Sequence, residues 1–394
     1  MRVLVNGLAS VGARTGIGHY AGELVRCLRA RRGGDEVAVY PPPWLAAAGR
    51  WWRRPFSRGP AAPRQAPRFA WRAGVKAALH AAAARLIDRH FRAAARAGYD
   101  LYHEPNVLPL PCELPTVVTV HDLSVLLHPE WHPADRVARH QKQFAAGIAR
   151  SRHVLTVSDF ARREIIETLG LPPDRVSRTY NGVRPHLRPM GPAEVEPVRR
   201  ALNLPPRYLL FVGTLEPRKN VLTLLRSYLA LPAWVRARYP LVLAGGVGWN
   251  ADAITAAVAA GRSGGVVHAG YVADEHLPAL YNGARALVFP SFYEGFGLPP
   301  VEMLACGGAV LASTAGAVAE VVGDRAHLID PADGDGWREA LLRVATDDDW
   351  WQELRRGAAD AARPFTWERC AEETWDAYAR ALGGTTATRQ PRAA

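Results

Sequence analysis

Residues 286–306 read ALVFPSFYEGFGLPPVEMLAC. The run Ala286–Pro290 is apolar, short and bounded by turn residues, which predicts a buried strand. From Pro299 or Pro300 the spacing turns helical and reaches Cys306, and proline suits the first turn of a helix. Between strand and helix lies a loop holding Gly295 and Gly297, with Glu294 on one side and Glu302 one helical turn inside on the other. A strand, a glycine loop and a helix start in this order are the unit from which parallel sheets with crossover helices are built.

The same unit recurs along the chain. In the first half the strand candidates are Val3–Asn6, Glu36–Tyr40, Asp100–His103, Thr116–His121, Val154–Ser158 and Arg175–Tyr180. In the second they are Tyr208–Val212, Leu241–Ala244, Val266–His268, Ala286–Pro290, Ala309–Ser313 and His327–Ile329. Helical patterns separate them, as where Ile17, Tyr20, Leu24 and Leu28 share one face. The expected fold class is therefore α/β, with two Rossmann-like domains, spanning 1–190 and 200–365. The proline-rich stretch Arg184–Pro197 is the expected linker. A last helix over 366–382 and a disordered tail over 383–394 complete the outline. Asp347-Asp-Asp349 before Trp350 predicts a helix start rather than a metal site.

The 394 residues exceed one core and suit two domains. With 48% hydrophobic and 22% charged residues the composition is that of a globular protein, and no apolar run is long enough to span a bilayer. The first strand begins almost at Met1, so no signal peptide is expected and the compartment is read as cytoplasmic. Cys27, Cys112, Cys306 and Cys370 are scattered without metal-ligand spacing, which predicts reduced thiols and no metal. The formal net charge of +12 is unevenly placed, because no acidic residue occurs between Glu36 and Asp88. Across 44–76 arginines alternate with Trp44, Trp51, Trp52, Phe56, Phe69 and Trp71. This basic aromatic segment suits either a solvated loop or the inner membrane surface. No recognition motif accompanies the charge, so no specific nucleic acid is expected.

Several residues could carry chemistry. Amides over Gly295–Leu298 would point out of a helix N-terminus, where phosphate or sugar hydroxyls bind. Glu302 is an acceptor for sugar hydroxyls or a complement to the helix dipole, and Glu294 is a ligand group or a solvated loop residue. The stretch Phe211–Asn220 repeats the pattern, with Arg218 and Lys219 expected at a helix start. Cations at that end call for an anion, such as a diphosphate, unless the turn is simply exposed. Thr15-Gly-Ile-Gly-His-Tyr20 opens the first helix, and His121 closes the strand Thr116–Val120 just before Asp122. Either His121 meets a ligand or Asp122 caps a turn.

Taken together, GTLEPRKN (213–220), VFPSFYEGFGLPPVEMLACG (288–307), RTGIGHYAGEL (14–24), TVVTVHDLSVLLHPEWHP (116–133) and HVLTVSDFARREIIETLGLPPDRVSRTYNGV (153–183) resemble the retaining, GT-B-fold glycosyltransferases of family 4. The similarity extends over about 1–380 and is weakest over 41–98. Within the family the pattern is most similar to bacterial mannosyl- and rhamnosyltransferases of surface polysaccharide assembly. The resemblance implies two domains facing across a cleft, with the C-terminal helix crossing back to the first. It implies that Glu302 binds the nucleotide ribose and Glu294 the donor sugar. Gly295, Phe296, Gly297 and Leu298 would contact sugar and phosphate through their amides, and Arg218 and Lys219 would neutralise the diphosphate. His121 would reach the donor sugar, Gly16 and Gly18 would lie near the phosphates, and backbone at Tyr271 and Val272 would read the base. Thr214 stands where many relatives carry arginine, which leaves more phosphate charge to Arg218 and Lys219. Ala309 replaces a proline common in relatives.

The implied reaction needs no cofactor and no metal. A hexosyl residue, mannose or rhamnose, moves from a nucleotide-sugar donor, GDP-mannose or GDP-rhamnose, to a growing lipid-linked glycan acceptor. UDP- or dTDP-sugars are the alternative donors, and a nucleotide-sugar epimerase is the alternative enzyme of this fold. A glycoside hydrolase using Glu294 and Glu302 would require the pair to straddle a sugar bond. A basic membrane-binding scaffold would bind ligands without turnover.

Overall fold

The computed structural model describes residues 1–10, 16–30, 34–42 and 86–383. The basic aromatic segment 44–76 and the tail beyond Gly383 lie outside the described residues. Two parallel six-stranded sheets form the frame. Strands β1 (Arg2–Asn6), β2 (Glu36–Tyr40), β3 (Leu101–Glu104), β4 (Thr116–Thr119), β5 (His153–Thr156) and β6 (Val176–Arg178) are ordered β2-β1-β3-β4-β5-β6. Strands β7 (Leu209–Val212), β8 (Leu241–Ala244), β9 (Val266–Gly270), β10 (Ala286–Phe289), β11 (Ala309–Ser313) and β12 (His327–Ile329) are ordered β12-β11-β10-β7-β8-β9. All twelve coincide with the apolar runs expected from the sequence. Strands β4, β5, β8, β10 and β11 are buried at every position, as sheets covered on both faces require.

The chain divides into two compact units. The first comprises 1–120, 143–155 and the chain from Ala371 onward; the second comprises 121–142 and 156–370. Within the first unit Tyr378, from the last helix (Trp367–Ala381), hydrogen-bonds His103 Nδ1 at 2.7 Å, and His103 Nε2 meets Thr119 Oγ1 at 2.8 Å. Within the second, Phe211, Leu224, Tyr228, Leu243, Val288, Leu311, Trp337 and Leu341 form one buried core.

The sheet order places the second unit's site. β7 is followed by β8 and β9 on one side, while β10, β11 and β12 run outward on the other. Crossovers therefore reverse direction between β7 and β10, and the loops leaving these two strands part from one another beyond their carboxyl ends. Such a switch point is where open α/β sheets bind ligands.

One expectation is corrected. The stretch Arg184–Pro197 is not a linker throughout, since Pro192–Ala201 is a helix. Pro192 sits in its first turn, and the Glu194 carboxylate accepts from the Gly191 amide at 3.3 Å. That one-sided cap, Glu194 holding the N-cap amide, offsets the prolines that made the segment look irregular. The Asp347 expectation holds, because its side chain caps the helix Asp348–Arg355 by accepting from the Trp350 amide at 2.9 Å.

Candidate active site

The loop after β10 is gripped on both sides. A Cβ added to Gly295 would lie 1.9 Å from the His121 carbonyl oxygen, so only glycine lets the chain at His121 rest on the loop. Opposite, Gly316 at φ +65° brings its backbone against Glu294, where a Cβ would lie 2.5 Å from the Glu294 carbonyl oxygen. The Ala317 amide donates to that same oxygen at 2.9 Å. Gly297 takes the left-handed conformation at φ +97° and opens the helix Leu298–Ala305, with prolines in its first turn. Among the described residues no acceptor faces the amides of Gly295, Phe296, Gly297 or Leu298, which leaves them able to donate to a ligand.

Glu294, thus held, is buried rather than solvated. Lys219 Nζ lies 2.5 Å from its Oε1 and Arg218 Nη1 2.9 Å from its Oε2. Burial alone would raise the Glu294 carboxyl, yet Arg218 and Lys219 overcome that cost and hold it below the ordinary carboxylate value. Arg218 also donates to the Tyr293 carbonyl at 2.8 Å and to Glu216 Oε1 at 3.0 Å. Arg218 and Lys219 form a short 3-10 turn, and the α-helix begins only at Val221. Glu294 of the protein itself thus supplies an anion to these cations, and neither side chain is an exposed basic turn. Asn220, left-handed at φ +54°, ties this turn to the sheet by donating to the Pro290 and Pro331 carbonyls at 3.0 and 2.7 Å.

His121 lies two residues beyond the end of β4, and its carbonyl marks the contact with Gly295. Asp122 caps the following turn through the Ser124 amide at 2.9 Å. Against the cost of burial, the Arg218 charge and the Ser124 hydrogen bonds hold Asp122 below its ordinary value. Nearby, His132 Nε2 meets Ser124 Oγ at 3.1 Å. Burial and the Arg136 charge push His132 down to about 4, so its ring is neutral at pH 7. Trp131 stacks on His128 at 4.0 Å and on Phe292 at 6.2 Å, and its carbonyl accepts from Trp249 Nε1 at 2.9 Å.

Glu302 has a separate set of partners. Arg184 pairs with Oε1, and the Tyr281 hydroxyl donates to Oε2 at 2.7 Å. Burial pushes the Glu302 carboxyl up, with Arg184 opposing. Thr214 is exposed at the mouth of the β7 loop, Val272 is buried, and Tyr271 is 63% exposed. Gly16 and Gly18 belong to the first unit, in the first turn of the helix Gly16–Ala30.

Sequence reasoning missed Arg184, Tyr281, Gly316 and Asn220. Asn220 carried a usable signal, since it stands just before a helix and asparagine is a favoured left-handed residue. The other three are far from their partners in sequence and carry no local mark. Among the described residues no group of three or more His, Cys, Asp or Glu side chains is placed to hold a metal ion. Cys27, Cys112, Cys306 and Cys370 are free thiols.

Comparison with known proteins identifies the family. Residues 14–187 match the family described as Glycosyltransferase Family 4, and residues 194–364 match the glycosyl transferases group 1. The chain is 42% identical over 281 residues to the O-antigen chain mannosyltransferase B of Escherichia coli, covering 71% of this chain and 74% of that one. It is 30% identical over 275 residues to the serotype-specific mannosyltransferase WbdA of Escherichia coli, covering 68% of this chain but only 34% of that protein. Among solved structures, Anabaena HepE in complex with UDP-glucose superposes with a TM-score of 0.70 at 17% identity, over 96% of this chain and all of that one. At that identity the likeness shows the fold alone. The two sheets, the two family matches and the 42% identical relative together make this chain a glycosyltransferase of family 4, with the GT-B fold.

Proposed function

We propose that the protein is a retaining mannosyltransferase that uses GDP-mannose to extend a lipid-linked surface polysaccharide, with GDP-rhamnose the second candidate donor. The observation that carries the reading is the cluster at the switch point, where Glu294 is buried between Arg218 and Lys219 beside four amides free to donate. The mannosyltransferase names of two relatives, one of O-antigen chains, support mannose and a polysaccharide acceptor.

In the proposed reaction the anomeric C1–O bond breaks and its electron pair passes to the diphosphate. The acceptor hydroxyl attacks C1 on the same face, and its proton goes to the departing phosphate. Arg218 and Lys219 stabilise the charge gathering on the leaving group without a protein nucleophile. The Gly295–Leu298 amides hold the sugar and phosphate, and Glu294 accepts from sugar hydroxyls. Because Arg218 and Lys219 already hold Glu294, donor binding places a sugar beside the carboxylate and a diphosphate beside the cations without assembling either from water. Glu302 accepts from the ribose, His121 faces the donor sugar, and backbone at Tyr271 and Val272 meets the base. Neither metal nor cofactor enters these steps. No helix among the described residues is long and apolar enough to cross a membrane. The basic aromatic segment 44–76 is the proposed contact with the cytoplasmic membrane face.

A hydrolase fits less well. Glu294 and Glu302 each have their own cationic partner, and Glu294 is held in its charged form, unsuited to protonating a leaving group. The test is calorimetric titration of GDP, UDP, ADP and dTDP without metal, followed by transfer of labelled mannose from GDP-mannose to isolated membranes. Selective GDP binding with label in a lipid-extractable glycan is expected. A folded protein that binds none of the four, or releases free mannose only, would overturn the reading.

A further inference from the structure

Arg207, Arg238, Arg285 and Arg355 line one cavity of about 490 Å³ in the second unit. They come from four separate places in the chain. Arg207 precedes β7, Arg238 precedes β8, Arg285 immediately precedes β10, and Arg355 ends the helix Asp348–Arg355. The cavity thus opens at the amino ends of the strands, on the edge of the sheet opposite the switch point.

Two aromatic rings hold three of these cations in a row. Arg238 and Arg285 lie 5.5 and 5.6 Å from the Tyr239 ring. Arg285 and Arg355 lie 4.0 and 4.5 Å from the Trp351 ring. Ring faces attract cations and so offset part of the repulsion between them. The backbone adds rigidity, with Arg285 Nε donating to the Val344 carbonyl at 2.8 Å and Arg355 Nε to the Gly307 carbonyl at 2.9 Å. Among the described residues the one carboxylate lining the cavity is Asp348, which is largely exposed and already paired with Arg285 at 2.5 Å. Four cations therefore face one spent anion. The guanidinium groups of Arg207 and Arg238 make no hydrogen bond or ion pair to any described residue. Burial and the Arg285 charge hold Arg355 below the ordinary arginine value, the mark of cations brought close without enough counter-charge.

We propose that this cavity is a second anion site, separate from the strand-end site, that takes a phosphate-bearing ligand. Guanidinium forks match phosphate oxygens in pairs, and converging arginines are the usual means of holding a diphosphate or a phosphodiester. The phosphate comes from one of two sources, a soluble polyphosphate or the headgroup of an anionic phospholipid, which share this chemistry.

The experiment uses the full chain. Sodium pyrophosphate is titrated calorimetrically into the wild type and into Arg207→Gln/Arg238→Gln, whose two side chains are exposed and make no ion pair and whose loss should leave the fold unchanged. The wild type should bind one more equivalent than the double variant, and Arg238→Glu should weaken that equivalent at least tenfold. In parallel, sedimentation measures binding to phosphatidylglycerol and to phosphatidylcholine vesicles. A third protein, Arg139→Gln/Arg163→Gln, removes the same charge from exposed positions elsewhere. Loss of the extra equivalent alone assigns a soluble anion, and loss of phosphatidylglycerol binding in the cavity variant, but not in the control, assigns a headgroup. Unchanged isotherms and unchanged vesicle binding, or equal losses in the control, overturn the proposal.

Discussion

Replacing Arg218 with alanine tests whether one guanidinium holds the candidate site together. Its fork reaches Glu294, Glu216 and the Tyr293 carbonyl at 2.8–3.0 Å, and Asp122 feels its charge. The side chain is only 15% exposed, so solvent screens these contacts little. Removing one partner of a buried pair costs about 3–5 kcal/mol, because the carboxylates stay buried without their counter-charge. In a unit of about 240 residues each kcal/mol shifts the melting temperature by about 2–4 °C, which predicts a fall of roughly 6–20 °C. Calorimetry at pH 7 would follow the second unit's transition.

The pH dependence separates charge from packing. Glu294 and Asp122 both have depressed folded values, so the stability their pairing supplies is present above the unfolded values near 4 and is lost as pH falls through the folded ones. The gap between Arg218→Ala and wild type should therefore narrow as the pH drops below about 4. A variant that melts within 2 °C of wild type at pH 7, or a gap that persists undiminished in acid, would refute the reasoning.

Two further perturbations follow from the same geometry. Gly295→Ala should lose about 1–3 kcal/mol through the clash with the His121 carbonyl, and with it nucleotide binding, whereas Gly246→Ala, where a Cβ would meet nothing, should be neutral; equal urea midpoints for the two would sink the wedge argument. His132, pushed down to about 4 against an unfolded value near 6.5, supports the fold fully above 6.5 and loses that support as the pH falls toward 4. Urea midpoints of wild type should thus decline between pH 7 and 4.5 more steeply than those of His132→Gln, and parallel profiles would show that His132 does not titrate as described.

All twelve strands, the helix start at Pro299–Pro300, the Asp347 cap and the last helix at Trp367 were legible in the sequence. These features depend on neighbours within a few residues, through hydrophobic period, capping side chains and the fixed backbone of proline. The helix Pro192–Ala201 was the exception, because its prolines obscured a cap that depends on Gly191 and Glu194. The motif residues Glu294, Arg218 and Lys219 could be named from the sequence, but not that they bind one another 75 and 76 residues apart. The partnership of Arg184 with Glu302, 118 residues away, and the gathering of four arginines around one cavity were equally silent. Strand order decides these pairings. β7 and β10 are far apart in sequence and become neighbours only when the crossovers reverse, and that choice is made by packing of the whole sheet rather than by any local pattern.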